Sequence, residues 1–293
     1  MISIDLGSNT FRCIEYDCTV KTFTKDFERI VKTAEGMYKS GRIGEKAIGR
    51  ILKAIREADL FYNFKTHAMR MAENSTEVLQ QIEKESGVKF ELIDAKQEAA
   101  FALKAVSSRL VQLGMDRDSY VLVDIGGGST EVIFVYGKEV YSRSFPLGIV
   151  SVAGQCSTHE EIEILLEQLL KPVRDFIEEQ YRRYQRPQIF VNTAGTPTTI
   201  AAFLQGMRYD TYDASKINGY ILSLSGCRHA LKELTAMDEN RRAEFVGVGR
   251  EVLIIAGILI VQKFYDLLDF DEAIVIDDGV REGVAIDYCE NRE

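Results

Sequence analysis

One pattern occurs twice in this chain, and it restricts the fold more than any other feature. Ile2-Ser3-Ile4-Asp5-Leu6-Gly7-Ser8-Asn9-Thr10 opens the chain, and Val121-Leu122-Val123-Asp124-Ile125-Gly126-Gly127-Gly128-Ser129-Thr130-Glu131 returns near the middle. Each copy is an apolar run ending in Asp, one apolar residue, glycine with small polar residues, and then a second β-rich run over 11–16 or 132–136. Such a pattern reads as strand, tight turn, strand. Glycine lets backbone N–H groups approach an anion closely, and successive N–H groups in a turn form a nest for phosphate oxygens. A carboxylate beside bound phosphates is a usual way to hold Mg²⁺. Asp5 and Asp124 are therefore candidate metal holders, and Gly7, Ser8, Asn9, Gly126, Gly127, Gly128 and Ser129 are candidate phosphate binders. The same residues also suit turns with no ligand at all.

The copies stand about one domain length apart, and each is followed by alternating helices and strands. This predicts two related α/β domains with a cleft between them, each hairpin turn at the cleft floor. The first domain is read as residues 1–118, joined by a C-terminal helix at about 281–293, and the second as 119–280. In the first, strands are expected near 20–23, 64–69 and 90–93, and helices over 44–58, 74–86 and 96–113, with Asn74 and Glu77 as a capping box. In the second, a strand over 139–145 precedes a long helical pattern capped by Thr158-His159-Glu160-Glu161, which Pro172 kinks or breaks. A strand over 189–191 leads to Thr193-Ala194-Gly195-Thr196-Pro197-Thr198-Thr199, a third small-residue turn at a helix start. Helix N-termini favour anions through their N–H groups and dipole, which adds Gly195 and Thr196 to the phosphate candidates. The last strand, 273–276, runs into Asp277-Asp278-Gly279 and a helix from Val280.

With 46% hydrophobic and 28% charged residues over 293 positions, the chain has ample core for two soluble domains. A net charge of −9 argues against a general nucleic-acid binder. The basic clusters Arg182-Arg183-Tyr184-Gln185-Arg186 and Arg241-Arg242 read as solvated helix ends. The longest apolar stretch, 252–261, is about half the length a membrane span needs, and the opening residues read as a strand, so a cytoplasmic protein is expected. Cys13, Cys18, Cys156, Cys227 and Cys289 show no CxxC spacing; a disulfide framework and a zinc site are not expected, and all five read as structural thiols.

An ordered series of segments resembles the Ppx/GppA family of exopolyphosphatases and guanosine pentaphosphate phosphohydrolases. It comprises residues 4–12, Glu28-Arg29, Glu35-Gly36, Thr66-His67-Ala68-Met69-Arg70-Met71-Ala72-Glu73-Asn74, Gln97-Glu98-Ala99 and residues 124–131. Pro146-Leu147-Gly148, residues 194–199, Asn218-Gly219-Tyr220, Arg250 and Gly279-Val280-Arg281-Glu282-Gly283 complete it. The resemblance implies the actin-like (ribonuclease-H-like) fold shared with sugar kinases and chaperone ATPase domains. It implies Mg²⁺-dependent release of orthophosphate from inorganic polyphosphate or guanosine pentaphosphate, and a homodimer. Glu98 resembles the family's catalytic base, and Glu131 a second glutamate that orients water or metal. Arg12, just past the first turn, and Arg70, at a family position, are candidate phosphate contacts, and Arg29 is a further one. The chain departs from the family at Ala100 and Ser151, where arginines are common, at Val252, where an acidic residue is common, and at Thr33-Ala34. An ATP-dependent kinase of the same fold and a sensing module without turnover remain as alternatives.

Overall fold

The computed structural model describes residues 1–59, 74–156 and 158–291. The chain is α/β throughout and packs as two units, Met1–Ala105 with Val280–Glu293, and Val106–Gly279. Each has its own apolar core. One is built around Ile4, Phe11, Ile51, Ile55 and Ile82, the other around Val121, Phe134, Phe190, Ile258 and Phe264.

The first unit opens with an antiparallel sheet of order β1-β2-β3, formed by β1 (Ile2–Leu6), β2 (Thr10–Asp17) and β3 (Thr22–Ile30). The hairpin expected from the first Asp–Gly corner is present, and β3 is longer than the sequence suggested. A short helix α1 (Met37–Ser40), then α2 (Glu45–Asp59), α3 (Ser75–Ser86) and α4 (Ala95–Gln112) follow, the last running on into the second unit from Val106. On α2, Ala47, Ile48, Ile51, Leu52, Ile55 and Ala58 recur at helical spacing and are all buried. The strand expected over 64–69 lies outside the described residues. The strand expected over 90–93 is reduced to a single bridge at Leu92.

Asn74 precedes α3, as expected, but does not cap it by its side chain. Its amide is used elsewhere: Oδ1 accepts from Ile43 N–H at 2.9 Å and Nδ2 donates to Ile43 O at 3.1 Å. Glu77 meets Arg42 instead. A buried backbone pair needing both a donor and an acceptor outcompetes a cap that water can replace.

The second unit is a six-stranded sheet of order β6-β5-β4-β7-β9-β8. In chain order it contains β4 (Ser119–Ile125), β5 (Thr130–Tyr136), β6 (Glu139–Phe145), α5 (Ile149–Ala153), α6 (His159–Leu169), α7 (Lys171–Arg183), β7 (Ile189–Thr193) and α8 (Gly195–Leu204). Then come a 3₁₀ turn at Tyr209–Thr211, α9 (Ala214–Ile217), β8 (Tyr220–Ser223), α10 (Leu224–Ala236), α11 (Glu239–Val246), α12 (Leu253–Leu268) and β9 (Glu272–Val275). Strands β4, β7 and β9 are parallel neighbours, while β5, β6 and β8 run antiparallel to their partners. Thr158 and Glu161 form the expected capping box on α6, and Pro172 falls in the first turn of a new helix, α7, where its missing N–H costs nothing.

The final helix α13 (Val280–Glu290) packs in the first unit. A Cβ at Gly283 would stand 2.0 Å from Phe101 O, so α13 and α4 meet backbone to backbone there. Arg281, buried, pairs with Glu282 beside it and with Asp26 at 2.6 Å. Lys104 binds Asp287 at 2.6 Å and Glu290 at 2.8 Å. Cys18 and Cys289 form a disulfide across a sequence separation of 271 residues. This overturns the reading of all five cysteines as thiols. Spacing could not reveal the pair, because only the return of α13 to β2 brings the two residues together. Cys13, Cys156 and Cys227 remain thiols. Burial, with Asp26 nearby, pushes Cys13 up to about 12, and burial pushes Cys227 up to about 12, so both stay protonated and inert. Reducing the bridge, or Cys289→Ser, is expected to lower stability by about 2–4 kcal/mol. The check is the thermal midpoint measured with and without a dithiol, and an unchanged midpoint would refute it. No described helix is long and apolar enough to cross a membrane.

Candidate functional site

The two corners repeat each other down to single hydrogen bonds. Gly7 N–H donates to Thr10 O at 2.9 Å, and Gly126 N–H donates to Ser129 O at 2.9 Å, closing both turns identically. In each corner the next carbonyls accept from the segment that follows the sheet. Ser8 O accepts from Ala34, and Asn9 O from Val31 and Lys32. Gly126 O accepts from Ile149 at 3.1 Å, and Gly127 O from Val150 at 2.8 Å and Ser151 at 3.2 Å, all at the start of α5. A trans peptide points its C=O and N–H in opposite directions. With the Gly126 and Gly127 carbonyls turned toward α5, the N–H groups of Gly127 and Gly128 point away from it. Gly128 is exposed and Gly127 half-buried, and successive N–H groups in a turn are the kind of arrangement that takes an anion.

Gly148 makes that arrangement possible. A Cβ there would lie 2.3 Å from Gly127 O and 2.4 Å from Gly127 C and Gly128 N. Its φ of −133° is open to any residue, so space alone demands glycine. Ser151 turns its hydroxyl back on Gly148, accepting from its N–H at 3.1 Å.

Cross-strand register gives each corner a matching row of side chains. In the first unit Asp5 stands opposite Arg12, and Arg12 opposite Glu28. In the second, Asp124 stands opposite Glu131, and Glu131 opposite Ser144. Arg12 Nε lies 2.7 Å from Glu28 Oε2. Arg12, a phosphate candidate in the sequence, is thus also ion-paired within the sheet. The second row sets two carboxylates side by side, Asp124 at 7% and Glu131 at 1% exposure. Glu131 Oε1 accepts from Ser129 Oγ at 3.0 Å and from Ser144 Oγ at 2.7 Å.

Next to this row lies the third turn. Asp124 is in register with Thr193 at the end of parallel β7, and Thr193 Oγ1 donates to Asp278 O at 2.8 Å, just past β9. Arg109 holds Asp278 with two bonds, at 2.7 and 3.2 Å, and Tyr212 donates to Asp277 at 2.8 Å. Asp124, Gly126–Ser129, Thr193–Gly195 and Asp277–Asp278 therefore occupy the carboxyl ends of three adjacent parallel strands, where open α/β sheets bind ligands. Ala194 adopts φ 72° and ψ −177°, a region almost reserved for glycine, at the entry to α8. Thr196 is 2% exposed and packs against α12, where a Cβ on Gly257 would lie 2.5 Å from its Oγ1. Its side chain is thus committed to packing.

Glu98 sits in the first turn of α4, half-buried, in the first unit. Asp94 and Gln97 fix that helix start reciprocally: Gln97 N–H donates to Asp94 Oδ1 at 2.8 Å and Asp94 N–H to Gln97 Oε1 at 2.9 Å. Arg29 pairs with Glu57 at 2.7 Å. Arg70 lies outside the described residues. Among the described residues no group of three or more His, Cys, Asp or Glu is close enough to form a metal site unaided. Sequence reading missed Ser144, Thr193 and Asp278. Ser144 carried no local signal, whereas Asp277-Asp278 at a strand end did.

A model of the Ppx/GppA phosphatase family matches residues 21–292. Exopolyphosphatase 2 of Mycobacterium tuberculosis is 24% identical, over 97% of this chain and 97% of its own length. A bifunctional 3-dehydroquinate synthase/phosphatase of Fusobacterium nucleatum is 25% identical over 99% of this chain, which spans 46% of that longer protein. Among solved structures, the Ppx/GppA family member of Aquifex aeolicus has a TM-score of 0.75 at 26% identity, covering 100% of this chain and 98% of that one. An exopolyphosphatase of Cytophaga hutchinsonii shares the fold with a TM-score of 0.83 at 21% identity, covering 98% and 97%.

Proposed function

We propose that this chain, which belongs to the Ppx/GppA phosphatase family, is a phosphohydrolase releasing orthophosphate from the end of inorganic polyphosphate, with guanosine pentaphosphate as a second substrate. The observation that carries this reading is the adjacency of a buried Asp124–Glu131 pair to the N–H nest of Gly127 and Gly128 at one sheet edge. The names of relatives described as exopolyphosphatases support it.

The donor set fits Mg²⁺. Asp124 and Glu131 offer hard carboxylate oxygens from opposing positions of one hairpin, and Mg²⁺ is commonly held by one or two carboxylates with substrate phosphates and waters. These two residues would hold it, and it would supply neutralisation of charge on the transferred phosphoryl group. The remaining work falls to the chain. Backbone N–H groups of Gly127 and Gly128 bind phosphate oxygens and keep the terminal group in place. Glu98 accepts the proton of the attacking water in this reading, as its family position implies. Ser129 and Ser144 hold the Glu131 carboxylate in a fixed plane.

The test is phosphate release from long-chain polyphosphate and from guanosine pentaphosphate, each with Mg²⁺ and after chelation, with no acceptor added. Release from polyphosphate is expected, falling on the order of 10²-fold or more without the metal. Absence of release from both substrates in Mg²⁺ would leave only a binding role.

A further inference from the structure

We infer that Ser144 is a positioning residue for Glu131, an inference that rests on the hydrolase reading above. Ser144 occupies the third place of the charged row, on the sheet-edge strand β6, directly across from Glu131. Its Oγ donates to Glu131 Oε1 at 2.7 Å, the shorter of the two hydroxyl contacts to that oxygen. Both donors land on one oxygen. The carboxylate is thereby pinned about its own axis, with Oε2 held in a single direction.

That constraint matters because of what lies beside it. Asp124 faces Glu131 across the hairpin, and like charges on opposing strand positions repel. A glutamate with three rotatable bonds has freedom to swing away from such a neighbour. Hydrogen bonds to a charged group are strong enough to oppose that swing. Glu139, Val140, Ser142 and Arg143 of β6 are exposed, whereas Ser144 is half-buried, and strands favour β-branched or aromatic residues over serine. The first unit makes the contrast visible: the corresponding place there holds Glu28, which pairs with Arg12. Each third residue complements the middle one of its own row, a carboxylate for an arginine and a hydroxyl for a glutamate.

The experiment compares Ser144→Val with Ser144→Thr, which have nearly the same shape and differ in the hydroxyl. Steady-state phosphate release from polyphosphate is measured at several Mg²⁺ concentrations, with thermal midpoints alongside. For Ser144→Val, kcat is expected to fall about 10-fold with KM for polyphosphate within twofold, and half-maximal activity to require more Mg²⁺. Ser144→Thr should restore most of kcat. Equal thermal midpoints of the two variants exclude a purely structural cause. Full kcat in Ser144→Val, or equal losses in both variants, overturns the positioning role while leaving an active enzyme. An unaltered protein that releases no phosphate overturns the hydrolase reading, and this inference with it.

Discussion

Gly148→Ala is expected to abolish most phosphate release while leaving the rest of the second unit folded. The added methyl group would meet backbone atoms of Gly127 and Gly128 at 2.3–2.4 Å, and no rotamer change can move backbone out of the way. Either α5 retreats or the Gly126–Ser129 turn shifts. In both cases the Ile149-to-Gly126 and Val150-to-Gly127 bonds, at 3.1 and 2.8 Å, lengthen or break. Overpacking of this kind costs about 1–3 kcal/mol, a modest part of the stability of a domain this size. The catalytic cost is larger, because a displacement near 1 Å in groups that position a reacting phosphoryl lowers rate by about 10²-fold. Gly49→Ala is the control: its site is open and helical, so activity is unchanged and stability equal or higher by about 0.5–1 kcal/mol. Near-normal release by the Gly148 variant would mean that the glycine turn does not hold substrate.

A second large effect is expected from removing one carboxylate charge. Glu131→Gln keeps the shape of the side chain, and the amide oxygen can still accept from Ser129 and Ser144, so folding survives. What disappears is half of the charge that Asp124 and Glu131 present together. A fall in kcat of about 10²–10³-fold is expected, with a thermal midpoint that is unchanged or raised, since two buried neighbouring carboxylates no longer face each other. Glu98→Gln should lower kcat by about 10²–10⁴-fold, the usual worth of a positioned base, without weakening polyphosphate binding. Phosphate-release kinetics and a binding titration for each variant separate the two roles. Activity surviving in Glu98→Gln would transfer the base to another residue.

The features legible in the sequence share one property, short range. The duplicated corners, the capping box of Thr158 and Glu161, the helix restart at Pro172 and the helix after Gly279 are all written within a few residues. Asn74 was misleading because its spacing to Glu77 fits a cap, while its actual partner, Ile43, lies far upstream. Cys18–Cys289, the Arg12–Glu28 pair and the bond from Ser144 to Glu131 depend on strand register or on the return of α13, neither of which leaves a local mark. Gly148 shows the same limit from another side. Its place in a family motif is visible in the sequence, but its reason, the Gly127–Gly128 peptide lying on its Cα, exists only in three dimensions.

The matched rows Asp5–Arg12–Glu28 and Asp124–Glu131–Ser144 make the molecule its own comparison set. Pairing register and turn closure are common to both copies, and the chemical difference is concentrated in the middle and last positions. One row sets an arginine between two carboxylates, while the other sets a glutamate between an aspartate and a hydroxyl. A change of sign at a single middle residue is thus enough to give two otherwise matching strand pairs different electrostatics.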